Sequence, residues 1–174
     1  MNEHLIWVDL FDREIGHGEK LDTHVKEQLH RAFSVFLIHN GKMLIQRREL
    51  SKYHSGGLWA NSCCSHPRYG ESFETSVQNR LEVELGIPKG SCTPEELFSF
   101  VYYAKFDGLS EYEFDHVLLG RIDRDTPLSP DPAEADATQW MSVEELESQL
   151  TQTPEKFTPW FITAAPIALE ALKK

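Results

Sequence analysis

Cys64 and His66 stand two residues apart in the run Asn61-Ser62-Cys63-Cys64-Ser65-His66-Pro67. In an extended chain residues i and i+2 share a face, so Cys64 and His66 project to one side while Cys63 and Ser65 take the other. A thiol beside an imidazole, or beside a metal held by that imidazole, can act as nucleophile or base. The plainer reading is a pair of small core cysteines. Pro67 argues against it by ending the strand just after the histidine, and functional groups gather at strand ends.

Glu111-Tyr112-Glu113 repeats the pattern with carboxylates. Glu111 and Glu113 share one face, with Tyr112 and Phe114 on the other. Two like charges side by side cost energy unless a cation lies between them or one carboxylate is protonated. Alone, the pair with Asp115 reads as a solvated sheet face. Histidines converging on it would favour a divalent metal instead, and His24, His30 and His66 are the candidates. Arg80 and Glu84, at i and i+4 of an expected helix, read either as a surface ion pair or as part of a site. Lys20, Arg48 and Lys52 are loop and strand-end cations suited to a diphosphate, which Arg grips in bidentate fashion. Trp59, Tyr102 and Trp160 are the aromatics able to line a pocket, with core packing as their default role.

The positioning elements follow from pattern. Residues 5–10 read as a strand and 11–30 as irregular, with one helical turn around 25–30. Runs 31–39 and 43–48 are strands joined by Asn40-Gly41-Lys42, a hairpin signal. An extended run covers 57–66. Phe73, Val77, Leu81 and Leu85 recur every four residues, so 72–85 reads as a helix closed by Gly86. Strands follow near 96–106 and 112–122, hinged at Asp107-Gly108. A loop containing Pro127, Pro130 and Pro132 leads to a short strand ending at Trp140. Ser142 and Glu145 form a capping box for a helix to about 150, and a last helix over 158–173 is expected to kink or break at Pro166. The class is mixed α/β with a mixed or antiparallel sheet.

Composition bounds the partners. The 174 residues include 17 basic and 28 acidic side chains, a formal charge of −11. No basic stripe offsets that charge, so nucleic acid is not an expected partner, although a local cluster of cations can still hold an anionic substrate. No apolar run reaches the ~20 residues of a membrane span, and the N-terminal MNEHLIWVDL does not read as a signal peptide. Three cysteines make no disulfide framework, and a cytoplasmic setting is expected.

Residues 65–87 can be laid on the Nudix box, G-x5-E-x7-R-E-U-x-E-E-x-G-U, with U a bulky aliphatic. Glu71, Leu81, Glu84, Gly86 and Ile87 match, whereas Ser65, Asn79, Arg80 and Val83 do not. Arg80 and Val83 remove two of the glutamates by which Nudix hydrolases hold Mg ions, which counts against hydrolysis of a nucleoside diphosphate derivative. The departures resemble one branch of that superfamily, the type I isopentenyl-diphosphate delta-isomerases. The resemblance rests on 61–67, on Leu29-His30-Arg31-Ala32-Phe33-Ser34-Val35-Phe36-Leu37, on Glu111-Tyr112-Glu113 and on Thr158-Pro159-Trp160-Phe161. It covers roughly residues 20 to 165.

The resemblance implies a single α/β (α+β) domain over 1–174, a Nudix-like mixed sheet flanked by helices. It puts the catalytic cysteine on Cys64, the catalytic glutamate on Glu113, and pocket aromatics on Tyr102 and Trp160. A site metal (Mn2+, Zn2+ or Mg2+) would be held by His24, His30, His66, Glu111 and Glu113. A Mg2+ bridging the substrate diphosphate would be held by Glu84 and the Cys64 carbonyl. Lys20, Arg48, Lys52 and Arg80 would grip the diphosphate. The implied reaction converts isopentenyl diphosphate to dimethylallyl diphosphate, carried out by a monomer or weak dimer. A non-catalytic domain that merely kept the fold is the remaining alternative.

Overall fold

The structure is a computed structural model and describes residues 3–173; positions 1, 2 and 174 of the expected domain lie outside them. In chain order the strands are β1 (His4–Val8), β2 (Glu14–Glu19), β3 (His30–His39), β4 (Lys42–Arg48), β5 (Trp59–Ala60), β6 (Cys63–Ser65), β7 (Glu95–Phe106), β8 (Leu109–Arg121) and β9 (Ala135–Ser142). The α-helices are α1 (Lys20–Val25), α2 (Phe73–Leu85), α3 (Val143–Gln152) and α4 (Pro159–Leu172). All nine strands form one mixed sheet, in which β3 and β8 run parallel and the other named pairs antiparallel. None of the described helices is long and apolar enough to cross a membrane.

Asn40 (φ 46°) and Gly41 (φ 72°) both take the left-handed backbone that a tight two-residue hairpin needs. Beyond them β3 and β4 stay paired only from His39↔Lys42 to Leu37↔Leu44. The strands then part, and the chain between 59 and 65 fills the gap: β5 pairs with β4, and β6 pairs with β3. Ser62 stitches the split, because its hydroxyl accepts from Leu37 N (2.8 Å) and donates to Leu44 O (2.6 Å). The expected continuous strand over 57–66 is therefore two short ones with a bend at Ser62. Its side chain satisfies the backbone groups that the parting strands leave unpaired.

Alternation along β3, β6 and β8 sorts the core into two layers. Phe33, Val35, Leu37, Cys63 and Leu118 pack against Val77, Leu81 and Leu85 of α2. Ser72 caps that helix by accepting from Thr75 N, and Gly86 (φ 66°) ends it. Phe36, Ile38 and Val117 point the other way, onto Leu146 of α3 and Phe161, Ala165 and Leu169 of α4. The Ser142–Glu145 capping box is formed in both directions.

Two local expectations change. Residues 14–19 are a strand, paired with β1 from His4↔Glu19 to Val8↔Glu14, and the short helix lies at Lys20–Val25 rather than 25–30. The strand is hard to see in Glu-Ile-Gly-His-Gly-Glu because glycines replace its apolar positions. A Cβ on Gly18 would fall 2.2 Å from the Trp7 ring, so that indole occupies the space. Pro166 does not break α4, which runs unbroken from 159 to 172. A proline inside a helix costs about 3 kcal/mol. Full burial of Phe161 and Leu169 returns roughly 1.5–3 kcal/mol each.

Candidate active site

The parallel register sets His30 of β3 beside Glu113 of β8, and the antiparallel register sets Ser34 of β3 beside Cys64 of β6. Period-two alternation then puts His30, Ser34, Cys64, His66, Glu111, Glu113 and Asp115 on one sheet face. His24 arrives from α1. The ligand atoms of His24, His30, His66 and Glu111 all lie within 4.8 Å of one another, and all four residues are buried.

This cluster could hold a cation. His24 Nδ1 donates to the Lys20 carbonyl (2.5 Å) and His30 Nδ1 to the Gln28 carbonyl (2.8 Å), which turns each Nε2 inward. Carbonyls on the outer nitrogen are the usual means of orienting metal-binding histidines. His30 Nε2 is buried with no hydrogen-bond partner, 3.9 Å from Glu111 Oε2 and 4.0 Å from Glu113 Oε1. Burial lowers the His30 pKa to about 4. Burial, followed by the neighbouring His30, also holds His66 well below the usual histidine range. Both rings are therefore neutral near pH 7, the form that binds metals. Burial alone would push Glu111 up, but hydrogen bonds from His24 and His54 keep it well below the usual carboxylate range. Neutral His30 and His66, an ionised Glu111 and the orphaned His30 Nε2 fit a divalent cation, while burial works to lower the His24 pKa and the hydrogen bond and charge of Glu111 raise it.

Glu113 Oε1 and His66 Nε2 share a hydrogen bond of 2.8 Å. Burial, then Glu111 and Asp115 beside it, push its carboxyl well above the ordinary range, so it keeps its proton. Cys64 donates to Asn61 Oδ1 (2.8 Å), and its sulfur accepts from Trp160 Nε1 (3.1 Å). Burial and then Asp115 raise the Cys64 pKa, while Arg48 pulls it down. Cys63 lies on the opposite face, wholly buried, with its thiol directed at Glu84 Oε2 (3.4 Å).

Cys64, Glu113, His66, Glu111, Glu84 and Trp160 line a cavity of about 140 Å³, together with Lys20, Arg48, Lys52 and Arg80. The cations are mostly paired: Lys20 with Glu3 (3.8 Å), Lys52 with Glu134 (2.6 Å), and Arg80 with Glu84 through both Nε (2.9 Å) and Nη2 (2.6 Å). Arg48 sits 5.3 Å over the Trp160 ring. Tyr102 does not line the cavity. It lies opposite Glu113 in the strand register, with its ring 6.3 Å from Trp160 and its buried hydroxyl without a hydrogen-bond partner. Trp59 lies under Arg47 (5.8 Å), outside this cavity.

Asn61, Ser34, His54, Arg68 and Glu134 also belong to the site, and nothing in the residue pattern gives them a role in advance. Asn61 accepts from both Cys64 and Trp160 Nε1 (3.3 Å) while its amide holds Val35 O and Cys63 O. Ser34 donates to Asp115 (2.7 Å), which burial raises to about 6. Arg68 and Glu134 line the cavity beside the expected cations. A histidine two residues beyond the expected diphosphate cation Lys52 is the one signal in the chain for His54.

A family model for the NUDIX domain matches residues 28–161. The isopentenyl-diphosphate Delta-isomerase of Serratia proteamaculans is 44% identical over 165 residues, covering 94% of this chain and 89% of its own. That of Halorhodospira halophila is 39% identical over 173 residues, with 95% and 97% covered. Among solved structures, a Deinococcus radiodurans protein superposes with a TM-score of 0.70 at 21% identity, covering 87% and 90% of the two chains. A MutT NUDIX hydrolase from Burkholderia pseudomallei gives 0.61 at 21% identity, with 82% and 97% covered. These structural likenesses describe the fold, whereas the sequence identities reach to the family. The chain belongs to the isopentenyl-diphosphate Delta-isomerase family, built on a NUDIX domain.

Proposed function

We propose that this chain isomerises isopentenyl diphosphate to dimethylallyl diphosphate, with Cys64 and Glu113 as the proton-transfer pair. The observation that carries the reading is that these two groups, from different strands, open on one cavity that is also lined by five cationic side chains, Lys20, Arg48, Lys52, Arg68 and Arg80. An unactivated alkene is a poor base, so its terminal carbon is protonated only by a well-placed acid in a dry site. Glu113 suits that role in the forward direction because its surroundings keep its proton on. Protonation leaves a tertiary carbocation at C3, and Cys64, acting as the thiolate that Arg48 and the Trp160 N–H favour against burial, takes a proton from C2 on the other side. The reverse reaction exchanges the two roles.

Trp160 contributes twice. Its indole N–H fixes the Cys64 sulfur, and its ring face stabilises the cation by about 0.5–2 kcal/mol. Burial of the surrounding side chains excludes the water that would trap the cation as an alcohol. Lys20, Arg48, Lys52 and Arg80 hold the diphosphate. Arg80 leaves Glu84 to do so, which frees that carboxylate. Tyr102 supports Glu113 from the neighbouring strand, its unpartnered hydroxyl being free to turn toward the carboxylate. When bound, a divalent cation (Mn2+, Zn2+ or Mg2+) at His24, His30, His66, Glu111 and Glu113 would tune the acidity of Glu113, and Mg2+ at Glu84 and the Cys64 carbonyl would offset the diphosphate charge.

We further propose that the protein works in the cytoplasm as one domain, a monomer or weak dimer, without nucleic acid or membrane. The test is NMR of isopentenyl diphosphate with protein and Mg2+ in D2O. Deuterated dimethylallyl diphosphate without free phosphate is expected. Unchanged substrate or released phosphate would refute the reading and favour hydrolysis of a nucleoside diphosphate derivative.

A further inference from the structure

His54 lies in the loop between β4 and β5, away from the conspicuous motifs, yet only 8% of it is exposed. Its ring stacks on Phe106 (4.3 Å between centroids, 19° between planes) and meets the rings of Tyr53 and Trp160 edge-on. Its Nε2 lies 2.7 Å from Glu111 Oε1. A carboxylate only accepts, so the proton of that bond resides on Nε2. Nδ1 is 3.2 Å from the Ser55 hydroxyl.

Glu111 thus has two unlike oxygens. Oε1 is taken by His54, while Oε2 faces His24 Nε2 (3.0 Å) and His30 Nε2 (3.9 Å). His54 itself is not among the four residues whose ligand atoms converge within 4.8 Å. Left free to rotate, a carboxylate can offer a metal one oxygen or both.

We propose that His54 is a positioning residue for the metal centre: it ties down Oε1 of Glu111 and thereby presents Oε2 alone to the histidine cluster. This rests on the metal reading of that cluster. The same hydrogen bond anchors the loop bearing Lys52 to the floor of the site, so one contact sets the ligand and places a diphosphate cation.

The test is Mn2+ binding to chelator-stripped protein, followed by EPR, for the wild type, His54→Phe and His54→Gln. Phenylalanine keeps a ring against Phe106 but donates nothing, whereas glutamine loses the ring and keeps an N–H donor. Removing such an outer hydrogen bond weakens metal binding about 10–100-fold. That loss is expected in His54→Phe, with most of the affinity recovered in His54→Gln. Equal Mn2+ affinity in wild type and His54→Phe would overturn the inference while leaving the metal site standing. A wild type that binds no Mn2+ would remove the metal reading, and this inference with it. Disappearance of one nitrogen coupling from the pulsed EPR spectrum of His54→Gln would make His54 a ligand and also overturn it. Should His54→Phe fail to fold, His54→Met supplies the variant without a donor.

Discussion

Adjacent cysteines with opposite fates offer the sharpest test of the site. Cys63 faces α2, wholly buried among Val35, Val77 and Leu81. Replacing it by alanine removes one heavy atom from the core, about 0.8 kcal/mol, and one hydrogen bond to Glu84, about 0.5–1.5 kcal/mol. The sum is about 1–2 kcal/mol, or a melting point lower by roughly 2–8 °C in a domain of this size. Cys64→Ala loses a similar amount, since Trp160 Nε1 keeps its second bond to Asn61 Oδ1 at 3.3 Å. The two variants therefore match in stability and diverge in rate. Cys64→Ala removes a proton-transfer group, worth about 10²–10⁴ in rate or some 3–5 kcal/mol of barrier. Cys63→Ala touches only a neighbour of the diphosphate end and keeps most activity. Deuterium incorporation in the NMR assay, read beside thermal melts of both variants, decides the matter. A folded Cys63→Ala as inactive as Cys64→Ala, or a Cys64→Ala near the wild-type rate, would refute the assignment of faces.

Glu113→Gln removes the acid, and turnover should fall below detection in the same assay while the melt shows a folded protein. A cation bound only by the folded state adds about 2.7 kcal/mol at one hundred times its dissociation constant, so Mn2+ should raise the melting point by roughly 5–11 °C. His30→Leu should abolish that rise, and a rise that survives it would put the metal elsewhere. Burial raises all three thiols above their ordinary value of 9.0, Cys92 to about 11. The fold thus retains protons that the unfolded chain releases. Their contribution is intact below pH 9 and is lost as pH rises, by about 1.4 kcal/mol per pH unit for each thiol. Urea unfolding at pH 9.0 and 10.5 should show that loss, to which the Tyr53 and Tyr102 hydroxyls, pushed up by burial, add, and Cys92→Ser should make it smaller; an unchanged slope would count against a buried, protonated Cys92.

Elements governed by local pattern were legible in the chain. Asn40-Gly41 makes its turn because only a left-handed backbone joins those strands so tightly. The four-residue spacing from Phe73 to Leu85 makes a helix because it places one apolar stripe against the sheet. Alternation separated Cys63 from Cys64 and paired Glu111 with Glu113. Each is a property of a few neighbouring residues, and so is the spacing that carries the family resemblance. Whatever depends on distant partners was not legible. Pro166 stays helical because the buried face of α4 outweighs one missing hydrogen bond. Residues 14–19 form a strand because Trp7 fills the room that two glycines leave. The split at Ser62 arises where β3 and β4 part. The parallel register that sets His30 beside Glu113, and the loop that folds His54 onto Glu111, bring together residues 83 and 57 positions apart. No short-range pattern encodes a meeting over such distances. The kinds of chemical group were present in the sequence, but packing alone decided which of their atoms face one another.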